Sequence, residues 1–234
     1  MSRSRAPLLA SSVFLFALLA TLLPSLGRAQ TAGHVVISEV MYDPVCSTTA
    51  TNCEWVELFN PTAAAVDLTG WKVQDNNSQD SIPSFTLDSG AYLVIAANAS
   101  GFAEGYPGFA GNLIILNNPI GNGLANGGDR IILKDSNGTD VDAMSYGTDT
   151  TYFSLQRPNN LEGHSLARVP PDVDTNTAAD WSDLYPPGPG GPGIGPEPTP
   201  VGTSTSTPIR TATPTETPAD SPPPTATATS TGTA

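Results

Sequence analysis

The stretch Glu54 to Asn77, EWVELFNPTAAAVDLTGWKVQDNN, constrains the fold of this chain more than any other. It holds two strand-like runs, Glu54–Phe59 and Trp71–Gln74, rich in aromatic and branched residues. Asn60-Pro61 closes the first run and Gly70 precedes the second. Such runs fit a half-buried pleated surface, and Asn-Pro and a lone Gly punctuate turns. Similar runs recur at short spacing: Val35–Tyr42, Ser84–Leu87, Tyr92–Ala97, Leu113–Leu116, Arg130–Lys134, Val141–Tyr146 and Ser165–Val169. No apolar stripe of helical period appears outside the N-terminal thirty residues. The pattern predicts an all-β domain, a sandwich or a barrel.

Two turns are specified by their chemistry. Asp135-Ser136-Asn137-Gly138 separates two runs, and Asn-Gly supplies the positive φ angles of a tight hairpin. Leu87-Asp88-Ser89-Gly90 does the same before Tyr92. Longer loops are expected at Asn98–Gly111 and Asn117–Gly128. The second holds four Asn and four Gly, which predicts a mobile loop or one packed closely on another backbone.

The two ends differ from the middle. Arg3 and Arg5 precede an apolar run from Leu8 to Leu23, and Gly27-Arg28-Ala29 offers small residues for cleavage after Ala29. This is the pattern of a signal peptide over residues 1–29, and the run is short for a membrane anchor. No later apolar run is long enough to span a bilayer, so a secreted or cell-surface product is expected. Residues 30–185 suffice for one folded domain. From Pro186 to Ala234 there are 13 Pro and 13 Thr and no aromatic residue. Such a segment, 186–234, cannot bury enough apolar surface to offset its ordering entropy, and reads as a disordered, extended linker or stalk.

Charge and cysteines narrow the partners. The chain has 22 acidic and nine basic residues, and three of the basic ones, Arg3, Arg5 and Arg28, fall in the signal segment. Nucleic-acid phosphates need basic side chains, so this balance argues against them. Cys46 and Cys53 are the two cysteines, and outside the cytoplasm so close a pair forms a disulfide. With only His34 and His164 besides, a zinc site lacks ligands. No cofactor is expected.

The Glu54–Asn77 stretch resembles the signature of the lamin tail domain family. His34-Val35-Val36-Ile37-Ser38-Glu39-Val40-Met41-Tyr42-Asp43-Pro44 resembles the family's opening strand, and Phe85–Ile95 its central hairpin. Asn126–Leu133, with Gly138 and Val141-Asp142, resembles the late hairpin. Gly163–Arg168 and Asp180-Trp181 resemble the closing strand. The resemblance implies an immunoglobulin-like β-sandwich. The Cys46–Cys53 insertion and the Pro186-Pro187-Gly188 exit depart from the family pattern without threatening that fold. In secreted bacterial chains such domains occur beside hydrolase or adhesion modules. The resemblance therefore implies a binding or surface-association unit, since a fold alone fixes no activity.

Several residues invite chemistry. Glu57 alternates with Trp55 and Phe59, Glu39 with Val35, Ile37 and Met41, and Asp142 with Met144 and Tyr146. These carboxylates could form an acidic site, possible with a metal. Alternatively each is satisfied by hydrogen bonds or by a cation, Arg168 first among them, as buried carboxylates require. Asp172, Asp174, Asn176, Asp180 and Asp183 fall at ligand positions of a calcium loop. Thr177 stands where that loop needs glycine, and no helices flank it. His164-Ser165 are neighbours on a strand and face opposite sides, which does not suit a nucleophile and its base.

The expectation is a non-enzymatic module binding a protein or cell-surface component. Phe102, Tyr106 and Phe109 are its candidate anchors, with core packing under a long loop as the other role open to them. The alternatives are an accessory domain of a secreted hydrolase, of nuclease or phosphatase type, and a structural envelope protein.

Overall fold

The computed structural model describes residues 31–155 and 161–192. The expected signal segment (1–29) and residues 193–234 of the expected stalk lie outside the described residues. The elements are β1 (Val36–Met41), β2 (Trp55–Phe59), β3 (Val66–Asp67), β4 (Lys72–Gln74), β5 (Gln79–Ser81), β6 (Thr86–Leu87) and β7 (Tyr92–Ala96). They continue with α1 (Ala99–Gly105), β8 (Asn112–Ile115), β9 (Gly128–Lys134), β10 (Asp140–Gly147), β11 (Ser165–Arg168) and β12 (Trp181–Leu184).

One sheet has six strands in the order β12-β11-β1-β2-β7-β8, and the second has four, β10-β9-β4-β5. A two-stranded pair, β3-β6, is the third sheet among the described residues. All pairings are antiparallel except β7 with β8, which α1 connects as a crossover. The fold is an immunoglobulin-like all-β sandwich. The Asp135–Gly138 turn joins β9 to β10 as expected, but of the Asn-Gly pair only the glycine takes a positive φ. Gly138 has φ +85°, and the Asp135 carboxylate accepts the N–H groups of Asn137 and Thr139.

Side-chain alternation along β2 sends Val56 and Leu58 inward, where they meet Val73, Ile131, Leu133, Met144 and Tyr146 of the other sheet. Each such buried aliphatic side chain contributes about 1.5–3 kcal/mol over an exposed one. Trp55 goes the other way. It packs with Met41, Val94, Ala96 and Phe102 on the far face of the six-stranded sheet. That face is covered by α1 and the Tyr106 that caps its C-terminus, the Phe102 and Tyr106 rings standing edge-on to Trp55 at 6.4 and 5.7 Å. The large sheet is thus buried on both faces over part of its area.

The cover lies inside what the sequence presents as a loop. Asn98 caps α1, its side-chain oxygen accepting from the N–H groups of Ser100 and Gly101. Gly101 lets the helix approach: a Cβ there would lie 2.1 Å from the Asn52 carbonyl oxygen. The helix is too short and glycine-rich to show an apolar stripe in sequence.

A bulge in β1 changes which faces its residues take. The register with β2 shifts between Ile37 and Glu39, leaving Ser38 as the extra residue. Val35, Ile37, Val40 and Tyr42 all belong to the inner core, whereas Met41 packs outside. The expected shared face of Glu39 with Val35 and Ile37 is therefore corrected. Glu39 turns outward with Met41, and directly opposes Glu57 across the strands.

Candidate functional site

Arg168 is the cation around which the inner acids gather. It lies at the end of β11, and only 1 % of its side chain is exposed. Its Nη2 donates to both oxygens of Asp142 at 3.1 and 2.9 Å. Its Nη1 donates to Asp174 at 3.0 Å, to the Val173 carbonyl at 3.1 Å and to Asp180 at 3.4 Å. Its Nε donates to the Ile37 carbonyl at 3.0 Å, and Trp181 stacks over the guanidinium at 4.8 Å. The Ile37 N–H, freed by the bulge, donates to Asp142 at 2.7 Å. One β10 carboxylate and one β11 guanidinium thereby tie the two sheets together at β1. Burial pushes the Asp142 carboxyl up, and Arg168 and the Ile37 N–H draw it back.

The expected calcium ligands are dispersed by the same network. Asp174 binds Arg168 and His34, and these hydrogen bonds, His34 first, lower its carboxyl to about 2. Asp180 accepts from Arg168 and from the Thr175 N–H and hydroxyl. Asp183 faces His164 at 2.9 Å, and Asp172 accepts from Thr31. Among the described residues, Asp172, Asp174, Asn176, Asp180 and Asp183 do not form one ligand cluster. His34, Asp142 and Asp174 do bring ligand atoms within 4.8 Å of one another, but Arg168 already bonds both acids.

Glu39 and Glu57 make a second arrangement, which Arg168 does not reach. Both are fully buried and side by side on β1 and β2. Glu39 accepts from the Ser165 hydroxyl at 2.5 Å and from the Gly188 N–H at 3.1 Å. Glu57 accepts from the Ser38 hydroxyl at 2.8 Å and from the Gly190 N–H. Burial pushes Glu39 up to about 7 and Glu57 up to about 8, the hydrogen bonds opposing it. Pro186, the first residue of the expected stalk, thus opens a strap. Residues 185–190 lie on the sheet, Gly188 and Gly190 donating to its two glutamates.

A third group of acids organises the loops at one end. Asp75 accepts from the N–H groups of Asn77, Ser78 and Asn122 at 2.6–2.7 Å. Asp129 accepts from Ala125, Arg130 and Asn76, and Glu54 from Leu124. Gly121, at φ +60°, sits so close to Asp75 that a Cβ would lie 2.1 Å from its carboxyl carbon. Of the two expectations for Asn117–Gly128, close packing is the one realised. Burial pushes Glu54 up to about 8, with Asp129 and Asp75 adding to it.

The disulfide joins Cys46 to Cys53, with Cα atoms 6.1 Å apart. It pins the β1–β2 connection beside an apolar cleft of about 220 Å³. Met41 and Trp55 of the sheet, Tyr106 at the end of α1, Pro44, Val45 and Cys53 of the pinned loop, and Tyr185, Pro186 and Pro187 of the strap line it. No charged side chain does. Val45 and Tyr185 are 68 % and 69 % exposed, the highest values among large apolar residues described. Of the three expected anchors, Tyr106 lines this cleft. Phe102 is buried beneath it, and Phe109 packs edge-on to Phe102 at 5.2 Å. Val45, Tyr185 and the prolines carried no signal as anchors in sequence, because nothing there brings residues 45 and 185 together. Reducing the disulfide is expected to cost about 2–3 kcal/mol through the loop it closes. Urea unfolding with and without reductant measures this.

Among the described residues no helix is long and apolar enough to cross a membrane. Together with the disulfide this is compatible with an extracellular protein. No curated protein matches the chain. The family model described as Lamin Tail Domain matches residues 28–148, just over half of the chain. The matched span covers β1 to β10, including the bulge and the β9–β10 hairpin. The central hairpin expected over Phe85–Ile95 is corrected: β6 pairs with β3, and β7 with β2 and β8. The chain belongs to the lamin tail domain family, a family of immunoglobulin-like modules with a binding or structural role.

Proposed function

We propose that the chain is an exported, non-enzymatic module that attaches to a protein at a cell surface by taking an uncharged apolar side chain into the cleft of Trp55, Tyr106 and Tyr185. The observation that carries this reading is the pairing of an uncharged lining with two exposed apolar rim residues, Val45 and Tyr185. An apolar rim held open to water is a cost unless a partner covers it. About 220 Å³ is below the usual size of a small-molecule or cofactor pocket, and suits one or two side chains of an extended segment. Aromatic residues at such a centre supply most of the energy of a contact.

The acids support a non-enzymatic reading. A general acid or base must come within hydrogen-bond reach of its substrate. Glu39, Glu57 and Asp142 instead lie beneath packed elements, each holding backbone or hydroxyl donors of the fold. Export rests on the N-terminal pattern and on the disulfide, which persists in oxidising compartments.

The test selects a random peptide library displayed on phage against the purified chain at pH 6. Enriched peptides should share an uncharged apolar anchor. Val45→Asp and Tyr185→Ala should weaken their binding at least about tenfold, the loss of one anchoring contact of ~1.4 kcal/mol. Peptides bound equally well by both variants would overturn the reading.

A further inference from the structure

The strap that forms one wall of the cleft is attached to the sheet in an unusual way. It adds no strand. Its backbone reaches the sheet through the N–H groups of Gly188 and Gly190, and the acceptors are the two carboxyls of Glu39 and Glu57. Those carboxyls are cross-strand partners with no intervening residue. Among the described residues neither has an ion pair. A Cβ on Gly190, at φ +89°, would meet the Phe109 ring at 2.9 Å, so the strap also rests on the aromatic cover.

We propose that Glu39 and Glu57 form a proton-dependent latch: while they hold their protons the strap stays seated and the cleft has its Tyr185–Pro187 wall, and when both ionise the strap lifts and the wall is lost. The proposal rests on reading the cleft as the binding surface.

The physical reason is like-charge crowding under a light cover. Two carboxylates facing each other across a strand pair repel, and a dry interior does not screen them. The strap's two N–H donors favour the charged form, but burial outweighs them for both groups. Ionisation therefore favours any rearrangement that admits water. Of the elements over the pair, the strap is the least attached. β11 is fixed by ladders to β1 and β12, and α1 by Phe102.

The other groups facing the pair do not neutralise it. Tyr92 from β7 and Tyr106 at the end of α1 are raised by burial first and then by Glu57 and Glu39 respectively. β11 contributes the Ser165 hydroxyl, β1 the Ser38 hydroxyl, and the strap only glycine and proline beyond Tyr185. Tyr185 itself stacks on His164 at 4.6 Å, and Asp183 holds that imidazole. This second contact lies at the strap's start and does not touch the pair.

Hydrogen exchange of the full chain, followed residue by residue, tests the latch. The amides of Gly188 and Gly190 should lose at least about tenfold of their protection between pH 6 and pH 9, after correction for intrinsic rates, and should exchange well ahead of Val56 and Leu58, whose protection follows the stability of the whole domain. Glu39→Gln/Glu57→Gln keeps an acceptor oxygen at both sites and cannot ionise, so its strap should stay protected at pH 9. Glu57→Gln alone is the second variant should the pair not fold. Unchanged protection in the wild type, or an equal loss in the glutamine variants, would overturn the latch. Peptides selected at pH 6 should bind the wild type more weakly at pH 9 and the glutamine variant equally at both. Equal wild-type affinity at both pH values would overturn the control of the cleft. Failure of every peptide at pH 6 would count against the cleft reading alone, because exchange reads the latch without a ligand.

Discussion

Replacing Arg168 with methionine is expected to destabilise the domain by about 3–5 kcal/mol, because it leaves the Asp142 carboxyl buried without its cation. The guanidinium holds Asp142 with two bonds and also reaches Asp174, Asp180 and two backbone carbonyls. Lysine would keep the charge but not the fork, so Arg168→Lys should also lose stability. The damage should be coupled to its main partner. Asp142→Asn keeps an oxygen for the Ile37 N–H while removing the charge. The double variant Arg168→Met/Asp142→Asn should recover about 1–3 kcal/mol relative to the sum of the single effects. Urea unfolding of the four proteins at one pH measures this. A loss below ~1 kcal/mol for Arg168→Met would mean the tie between the sheets carries little.

Stability should also fall as pH rises from about 5 to about 9. Below the ordinary value of 4.5 the folded and unfolded chains both keep their glutamate protons. Above it the unfolded chain releases them, while folded Glu39, Glu54 and Glu57 hold theirs to about 7, 8 and 8. The folded state then binds more protons, so its stability declines until those values are passed. Fully expressed, the shift at Glu57 alone corresponds to something on the order of 3–5 kcal/mol. Opening of the strap would relieve part of this before the domain unfolds. Asp174 acts in the opposite direction. Its carboxyl is lowered to about 2, so the stability it contributes is present above 3.8 and is lost as pH falls through 2. The stability optimum should therefore be mildly acidic. Glu57→Gln should flatten the alkaline limb and exceed the wild type at pH 9. An alkaline limb equally steep in that variant would assign the decline to other groups.

The sandwich was legible because its core strands obey simple rules. β2, β7, β9 and β10 are runs of branched and aromatic residues, and the Asn137-Gly138 turn fixes one hairpin outright. β3 and β5 were not legible, since Val66–Asp67 and Gln79–Ser81 are too short and polar to stand out from turns. β12 was marked only by the family resemblance at Asp180-Trp181, because its Trp181 and Leu184 are separated by polar Ser182 and Asp183. The helix α1 was not legible, and its residues were read as part of the loop Asn98–Gly111. Strand alternation in β2 grouped Trp55 with Glu57 correctly, but could not say which face was inward when both are covered. In β1 the extra residue Ser38 broke the alternation, and nothing in Val-Ile-Ser-Glu-Val marks it. Arg168 as the partner of a buried acid was foreseeable from the scarcity of cations. That it serves Asp142 and not Glu39 or Glu57 follows from the bulge, which sends Glu39 away from it.

The cleft belongs to the class of features that sequence reading misses. Its walls come from the disulfide loop, α1 and the strap, which are far apart in the chain. Only Tyr106 was anticipated, and for its aromatic character alone. The strap was absorbed into the proline-rich segment by composition. Its role depends on two glycine N–H groups, and backbone donors leave no mark in a sequence.

The buried acids of this sandwich are structural groups kept neutral or paired beneath packed elements, and carbon-13 NMR titration of the side-chain carboxyls tests that most directly. In the folded chain the midpoints of Glu39 and Glu57 are expected at about 7 and about 8. Midpoints for both near the 4.5 of a solvated glutamate would contradict it, showing that water reaches the pair at neutral pH.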